Sequence, residues 1–143
     1  MVGINSRLDS LHAEILSFRL KRLKNIIARK KKNINYYKKY LKNDSIKIIP
    51  EEKNEKSSHS MFVTLCEDRD KLQKYLERFK IQTRVYYKTP LHLYKVTKYL
   101  KYKKGDLPKA EEFSKKFLSL PYHQHLSKSQ IRFVCKKIND FYG

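Results

Sequence analysis

The stretch "GINSRLDSLHAEIL", residues 3–16, decides how the chain begins to fold. Ser6 and Asp9 have the spacing of a capping box, in which two side chains bond the free amides of a first helical turn. The apolar residues that follow have helical spacing and are Leu8, Leu11 and Ile15. The pattern predicts one long helix over residues 7–41, with an apolar stripe on one side and lysines on the other.

Beyond this helix, short β-branched and aromatic runs alternate with helical patterns. Strands are predicted at 46–49, 60–66, 81–87 and 117–123, and helices at 69–79, 107–117 and 128–141, with a short helical segment before 100. Asp68 and Ser127 stand where the second and last helices need N-caps. The order predicts a two-layer α/β (α+β) domain with a small mixed or antiparallel sheet covered by helices.

Composition narrows the class of protein. The chain has 143 residues, of which 40% are hydrophobic and 34% charged, as expected for one folded domain. No apolar run reaches the roughly 20 residues of a membrane span and no signal region follows Met1, so we expect a cytoplasmic protein without a membrane partner. Cys66 and Cys135 lie in apolar contexts and are expected to be buried free thiols.

The net charge of +20 supports two interpretations. A basic nucleic-acid-binding module would use lysine-rich stretches with interleaved tyrosines, and "NYYKKYLKN" and "YKVTKYLKYKK" are the best examples. However, 26 lysines stand against 8 arginines, although arginine is the favoured residue for bidentate phosphate contacts. Residues with A- and T-rich codons are abundant, so drift on solvated faces explains the charge without a specific nucleic-acid partner.

Three pieces of the sequence, in order and at the right spacing, resemble one family. They are "GINSRLDSLHAEIL", "DRDKLQKYLERFKIQTRVYYKTPLHL" and "KGDLPKAEEFSKKFLSLPYHQHLSKSQI". They are similar to the C-terminal part of the DegT/DnrJ/EryC1/StrS sugar aminotransferases, pyridoxal-phosphate enzymes of the aspartate-aminotransferase fold (type I). The sequence departs from the family pattern at several positions: His12 replaces Gln, Glu14 replaces Ala, Lys80 replaces Gly, and Lys88 and Gln124 replace Pro.

The resemblance implies that residues 1–143 form a single C-terminal-type small domain. Residues 1–41 would be the long connecting helix and residues 42–143 the α/β subdomain. The large domain, which carries the Schiff-base lysine, is expected to be absent. The cofactor, pyridoxal 5′-phosphate, would bind only if the large domain were supplied or a second subunit completed a homodimer. The lone chain is therefore expected to be inactive.

The resemblance also implies a reaction and a set of site residues. The complete enzyme would transfer an amino group from an amino-acid donor to a nucleotide-linked keto sugar for amino-sugar or polysaccharide biosynthesis. Asn5 would reach the cofactor phosphate of the neighbouring subunit, and Arg7, Tyr86, Tyr87 and His92 would contact the substrate. No residue of this chain is expected to be catalytic. His92, His123 and His125 lack metal-ligand spacing, so no metal site is expected.

Overall fold

The computed structural model describes residues 8–55, 57 and 60–143. The first helix, α1, is Ser10–Tyr40. Asp9 is its N-cap, and the Asp9 carboxylate accepts a hydrogen bond from the His12 amide at 2.8 Å. The predicted start at residue 7 is therefore wrong for Leu8 and Asp9, because the capping residue has an extended backbone. The predicted cap Ser6 lies outside the described residues.

The remaining elements follow the predicted order with one exception. The strands are β1 (Ile46–Ile48), β2 (Val63–Cys66) and β3 (Phe117–Ser119), and the helices are α2 (Arg69–Arg78), α3 (Pro108–Lys116) and α4 (Lys128–Tyr142). Two 3₁₀ helices, Leu91–Leu93 and Lys95–Leu100, lie between α2 and α3. The three strands form an antiparallel sheet in the order β1-β2-β3.

The predicted strand at 81–87 is wrong. Only Arg84 joins the sheet there, through two backbone hydrogen bonds with Ser119 of 3.0 and 2.8 Å. The chain enters this segment from a tight turn, in which the Ile81 amide donates to the Leu76 carbonyl at 3.1 Å. The Ile81 amide therefore closes the end of α2 instead of pairing with a neighbouring strand.

The turn that ends α2 is a Schellman motif. The Lys80 amide donates to the Glu77 carbonyl, one residue before the bond from Ile81 to Leu76. Lys80 has φ +58°, in the left-handed region that favours glycine. This is the position where the family pattern has Gly. The turn therefore forms here with a lysine in place of the glycine that its backbone conformation favours.

The caps of α2 and α4 differ. Ser127 caps α4 with a complete capping box, in which its side chain accepts from the Gln130 amide and the Gln130 side chain accepts from the Ser127 amide. Asp68 occupies the N-cap position of α2, but its side chain makes no capping hydrogen bond and pairs with Lys71 at 3.0 Å. The predicted role of Ser127 is confirmed and that of Asp68 is wrong.

The core lies between the sheet and the helices. The last part of α1 packs on α4, α4 on α2, and α2 on β2 and β3. The fully buried large apolar side chains are Tyr37, Leu72, Leu76, Leu118, Ile131 and Ile138. Cys66 and Cys135 are buried free thiols, as predicted, and burial raises the pKa of Cys66 to about 11 and that of Cys135 to about 12.

The first half of α1 leaves the core. Within α1 only Asn33, Ile34 and Tyr37 are buried. The large apolar side chains from residue 8 to residue 23 are exposed, namely Leu8, Leu11, Ile15, Leu16, Phe18, Leu20 and Leu23. We call residues 8–23 the apolar arm. Its exposed stripe is unusual for a helix that ends in a packed core, because such a stripe is normally covered.

Candidate functional site

A cavity of about 550 Å³ lies between the 3₁₀ helices, α3 and the start of β3. Its walls are largely aromatic and aliphatic: Tyr87, Pro90, Leu91, His92, Thr97, Leu100, Tyr102, Leu107, Ala110, Phe113, Ser114 and Phe117. Two of its polar side chains donate hydrogen bonds to backbone carbonyls. The Thr97 hydroxyl donates to the Leu91 carbonyl and the Ser114 hydroxyl donates to the Glu111 carbonyl. We call this the Tyr87 cavity; an apolar cavity with a few placed polar groups is the common form of a small-molecule site.

His92 is a buried polar side chain at one corner of the Tyr87 cavity, with 5% of its side-chain surface exposed. Its Nε2 lies 3.2 Å from the Glu111 carboxylate, which is itself 14% exposed. The Tyr102 ring meets the imidazole edge to face, with 6.2 Å between ring centroids. His92 is thus held by α3 on one side and by the loop before α3 on the other.

Glu111 links three parts of the cavity wall. Its Oε1 accepts a hydrogen bond from the Gly105 amide at 2.6 Å as well as from His92. Gly105 has φ +99°, which a residue with a side chain rarely adopts. The Gly105 hydrogen bond, together with His92, holds the pKa of the Glu111 carboxyl below its ordinary value. The carboxylate is therefore held in its ionised form.

The structure separates the two neighbouring tyrosines. Tyr87 lines the same cavity as His92, whereas Tyr86 lines a second, larger cavity of about 1120 Å³ between α2, residues 81–84 and Leu120. The Arg84 guanidinium lies 5.7 Å from the centre of the Tyr86 ring. Tyr87 and His92 are therefore brought together, and Tyr86 belongs to a different surface.

Two candidate residues fall outside the described part of the chain. They are Asn5 and Arg7, the predicted contacts to the cofactor phosphate and to the substrate. Their assignments stay predictions.

The lysines of the described residues are all at least partly exposed. A Schiff-base lysine must be desolvated or lie beside another cation, and no lysine is buried within 8–55, 57 and 60–143.

Across the described residues, no group of three or more His, Cys, Asp or Glu side chains is placed to hold a metal ion. None of the described helices is both long enough and apolar enough to cross a membrane.

Sequence reasoning missed Glu111, Gly105 and Tyr102. Glu111 is 19 residues from His92, so no local pattern links them. The one available signal was Gly105, because the chain has only three glycines and one of them lies in this loop. A scarce glycine marks a backbone position with positive φ, and here it marks the loop that Glu111 holds.

The fold of this chain matches that of solved sugar aminotransferase structures. The chain superposes on the crystal structure of S. venezuelae DesV in complex with a ketimine intermediate, with a TM-score of 0.91 and 29% identity over 99% of this chain and 38% of that one. Its fold is that of the matching part of a type I pyridoxal-phosphate aminotransferase. The chain belongs to the DegT/DnrJ/EryC1/StrS aminotransferase family, whose sequence model matches residues 1–139.

Two curated relatives also match nearly the whole of this chain but less than two fifths of their own length. A pleiotropic regulatory protein of Geobacillus stearothermophilus is 35% identical over 99% of this chain and 39% of its own length. The dTDP-3-amino-3,6-dideoxy-alpha-D-galactopyranose transaminase of Aneurinibacillus thermoaerophilus is 30% identical over 97% of this chain and 38% of its own length. The chain thus spans less than two fifths of the curated relatives it matches.

Proposed function

We propose that this chain is the C-terminal, small-domain portion of a pyridoxal-phosphate aminotransferase that acts on nucleotide-linked keto sugars. The observation that carries the proposal is the match along 99% of the chain to DesV. The name of the Aneurinibacillus relative, a transaminase of a dTDP-linked amino sugar, supports the substrate class. The reaction draws on an amino-acid donor and a nucleotide sugar, both cytoplasmic metabolites, so we also propose a cytoplasmic location.

The proposal includes inactivity of the chain by itself. It is supported by the span of less than two fifths of the relatives and by the exposure of the described lysines. Pyridoxal 5′-phosphate followed by borohydride should therefore label no single lysine of the isolated chain. Slow, scattered labelling is expected of any protein with 26 lysines. A stoichiometric adduct at one lysine would contradict the proposal.

The partner in the proposal is the large domain, supplied as a separate chain or by a second subunit of a homodimer. Co-expression with the N-terminal portion of a close relative should restore transamination of a dTDP- or UDP-linked keto sugar with glutamate as donor. The matched control is the N-terminal portion expressed alone. Activity that is the same with and without this chain would reject the proposed role.

Within that reconstituted enzyme, Asn5, Arg7, Tyr86, Tyr87 and His92 are the proposed contacts. Asn5→Ala should weaken retention of the cofactor by about 1.5–3 kcal/mol, the range for a hydrogen bond to a charged group. Tyr87→Phe should instead raise the KM for the nucleotide sugar while leaving cofactor retention nearly unchanged. Lys31→Ala, at an exposed position of α1, is the control for both measurements.

A nucleic-acid-binding module remains the alternative function, and one observation favours it. In residues 94–104, Tyr99 and Tyr102 are exposed among five lysines, the arrangement that stacks bases and neutralises phosphates. The other stretch, residues 35–43, offers less, because Tyr37 is fully buried. Saturable binding to defined oligonucleotides that Tyr99→Ala weakens would favour this function. Weak, sequence-independent retention on heparin would mean that the net charge alone accounts for the binding, and would count against this function.

A further inference from the structure

The Glu111 carboxylate determines how His92 presents its ring. A carboxylate only accepts hydrogen bonds, so the contact of 3.2 Å between Glu111 Oε1 and His92 Nε2 requires the ring proton to be on Nε2. In the neutral ring, Nδ1 is then the acceptor. The imidazole is almost completely buried, so its Nε2 has little access to water. The same logic fixes the tautomer of metal-binding histidines through a neighbouring carboxylate.

The same oxygen also holds the loop before α3. Glu111 Oε1 accepts from the Gly105 amide at 2.6 Å, and the Lys103 amide donates to Asp106 within the loop at 2.8 Å. Tyr102, in this loop, lies against His92. One carboxylate thus connects α3, the loop and the first 3₁₀ helix at a single corner of the Tyr87 cavity.

We propose that Glu111 is a positioning residue, whose carboxylate fixes the His92 ring with its proton on Nε2 and holds the loop that carries Tyr102 against that ring. The proposal rests on the proposed function only in taking the Tyr87 cavity as part of a substrate site. Thr97 and Ser114 already donate to backbone carbonyls, and of the remaining polar side chains that line the cavity, Tyr87 and Tyr102 are exposed whereas His92 is buried. Glu111 therefore orients a buried polar group in a largely apolar cavity.

The hydrogen-bond arrangement is tested by NMR on the full chain labelled with ¹⁵N-glycine and ¹⁵N-histidine. The chain has three glycines and five histidines, so Gly105 and His92 are assigned by single substitutions. In the wild-type chain, His92 should carry its proton on Nε2 and the Gly105 amide should exchange slowly with solvent. A wild-type His92 with its proton on Nδ1, or an unprotected Gly105, overturns the proposal even if every variant fails to fold.

Variants separate the carboxylate from the surrounding packing. Glu111→Ala should give a mixture of His92 tautomers and at least about tenfold faster exchange at Gly105. Glu111→Gln should preserve both signals, because its amide oxygen accepts the same hydrogen bonds. Glu112→Gln is the matched control, since Glu112 is on the same helix but pairs with Lys116. A folded Glu111→Ala chain with unchanged signals, or an equal change in Glu112→Gln, overturns the proposal.

The reconstituted enzyme tests the role in substrate binding separately. Glu111→Ala should raise the KM for the nucleotide sugar about tenfold with a smaller effect on kcat, and Glu112→Gln should change neither. An unchanged KM with disturbed NMR signals would overturn the positioning role but not the family function. Complete lack of activity in the wild-type reconstitution would count against the proposed function and leave the NMR result unaffected.

Discussion

Glu111 makes the folded chain sensitive to acid at one defined carboxyl group. Its pKa is lowered from the ordinary 4.5, first by the Gly105 hydrogen bond and then by His92. A carboxyl group with a lower pKa in the folded state than in the unfolded state stabilises the fold above the unfolded pKa. That contribution is lost as the pH falls through the folded-state pKa.

Glu111→Gln should therefore lower the Tm relative to wild type at pH 7, and the difference should shrink as the pH falls towards 3. Thermal unfolding followed by circular dichroism across this range measures it. A Tm difference that is constant from pH 7 to pH 3 would show that the ionised form of Glu111 contributes nothing to stability.

Single residues also mark the limit of what sequence can predict about the site. Tyr87 and His92 are five residues apart in a recognisable stretch, so the sequence predicts them together, and they share a cavity. The sequence also groups Tyr86 with Tyr87, but the chain bends at Tyr86 and the two side chains line different cavities. Glu111 was missed because its contact with His92 depends on how α3 packs, which no local pattern contains.

Among the elements, α2 ends in a turn that its sequence does not favour. Lys80 has φ +58°, a conformation that is unfavourable by about 1–2 kcal/mol for a residue with a β-carbon. Lys80→Gly should raise the free energy of unfolding by up to about 1 kcal/mol, because relief of strain exceeds the extra entropy of the unfolded chain.

Denaturant unfolding of Lys80→Gly measures this gain. The matched control is Lys74→Gly, the same change in the interior of α2, which should lower the free energy of unfolding by about 1 kcal/mol. Equal losses in the two variants would mean that the backbone at Lys80 is not strained.

The N-caps of α1 and α4 should differ in their effect on stability although both accept a hydrogen bond from the third helical residue. α4 is packed, with Ile131, Val134, Cys135 and Ile138 buried, so its cap is coupled to the core. Ser127→Ala should therefore lower the free energy of unfolding by about 1 kcal/mol. Asp9 caps the unpacked end of α1, where the helix can fray without opening the core.

Asp9→Ala should therefore leave the denaturant midpoint unchanged and instead speed amide exchange over the first turns of α1. The measurement is hydrogen exchange resolved by residue, with Ser127→Ala compared under the same conditions. A drop of about 1 kcal/mol in global stability for Asp9→Ala would show that the start of α1 unfolds together with the core.

Helices were predicted better than strands for a physical reason. A helix is specified by side chains within one segment, and α1, α2, α3 and α4 were all expected within about three residues at each end. A strand forms only where a partner is available. Residues 81–87 alternate like a strand, yet only Arg84 pairs with β3. The Ile81 amide instead donates its hydrogen bond to Leu76 in the turn that ends α2.

At the scale of the whole molecule, the exposed apolar arm is the feature from which we predict self-association. Leu11 is 71% and Phe18 54% exposed, and both belong to a continuous apolar stripe. We expect self-association that rises with concentration despite the charge of +20. The double substitution Leu11→Glu, Phe18→Glu should abolish it in sedimentation velocity.

The control is Tyr99→Glu, which also replaces an exposed side chain (77%) but lies outside the arm. It should leave self-association unchanged. A wild-type chain that stays monomeric at high concentration and binds no hydrophobic dye would show that the arm is stable in water without a cover.

The exposed start of α1 also determines how the molecule moves through solvent. Residues 10–25 are almost all exposed and extend about 24 Å at 1.5 Å per residue. A compact chain of this length has a radius of gyration of about 14–15 Å. Small-angle scattering of the double-glutamate variant should give a larger value, and a compact value would mean that the arm folds back. The same projecting helix adds frictional drag. The chain should therefore tumble anisotropically, with slower rotation of the α1 axis than a compact sphere of the same mass would show.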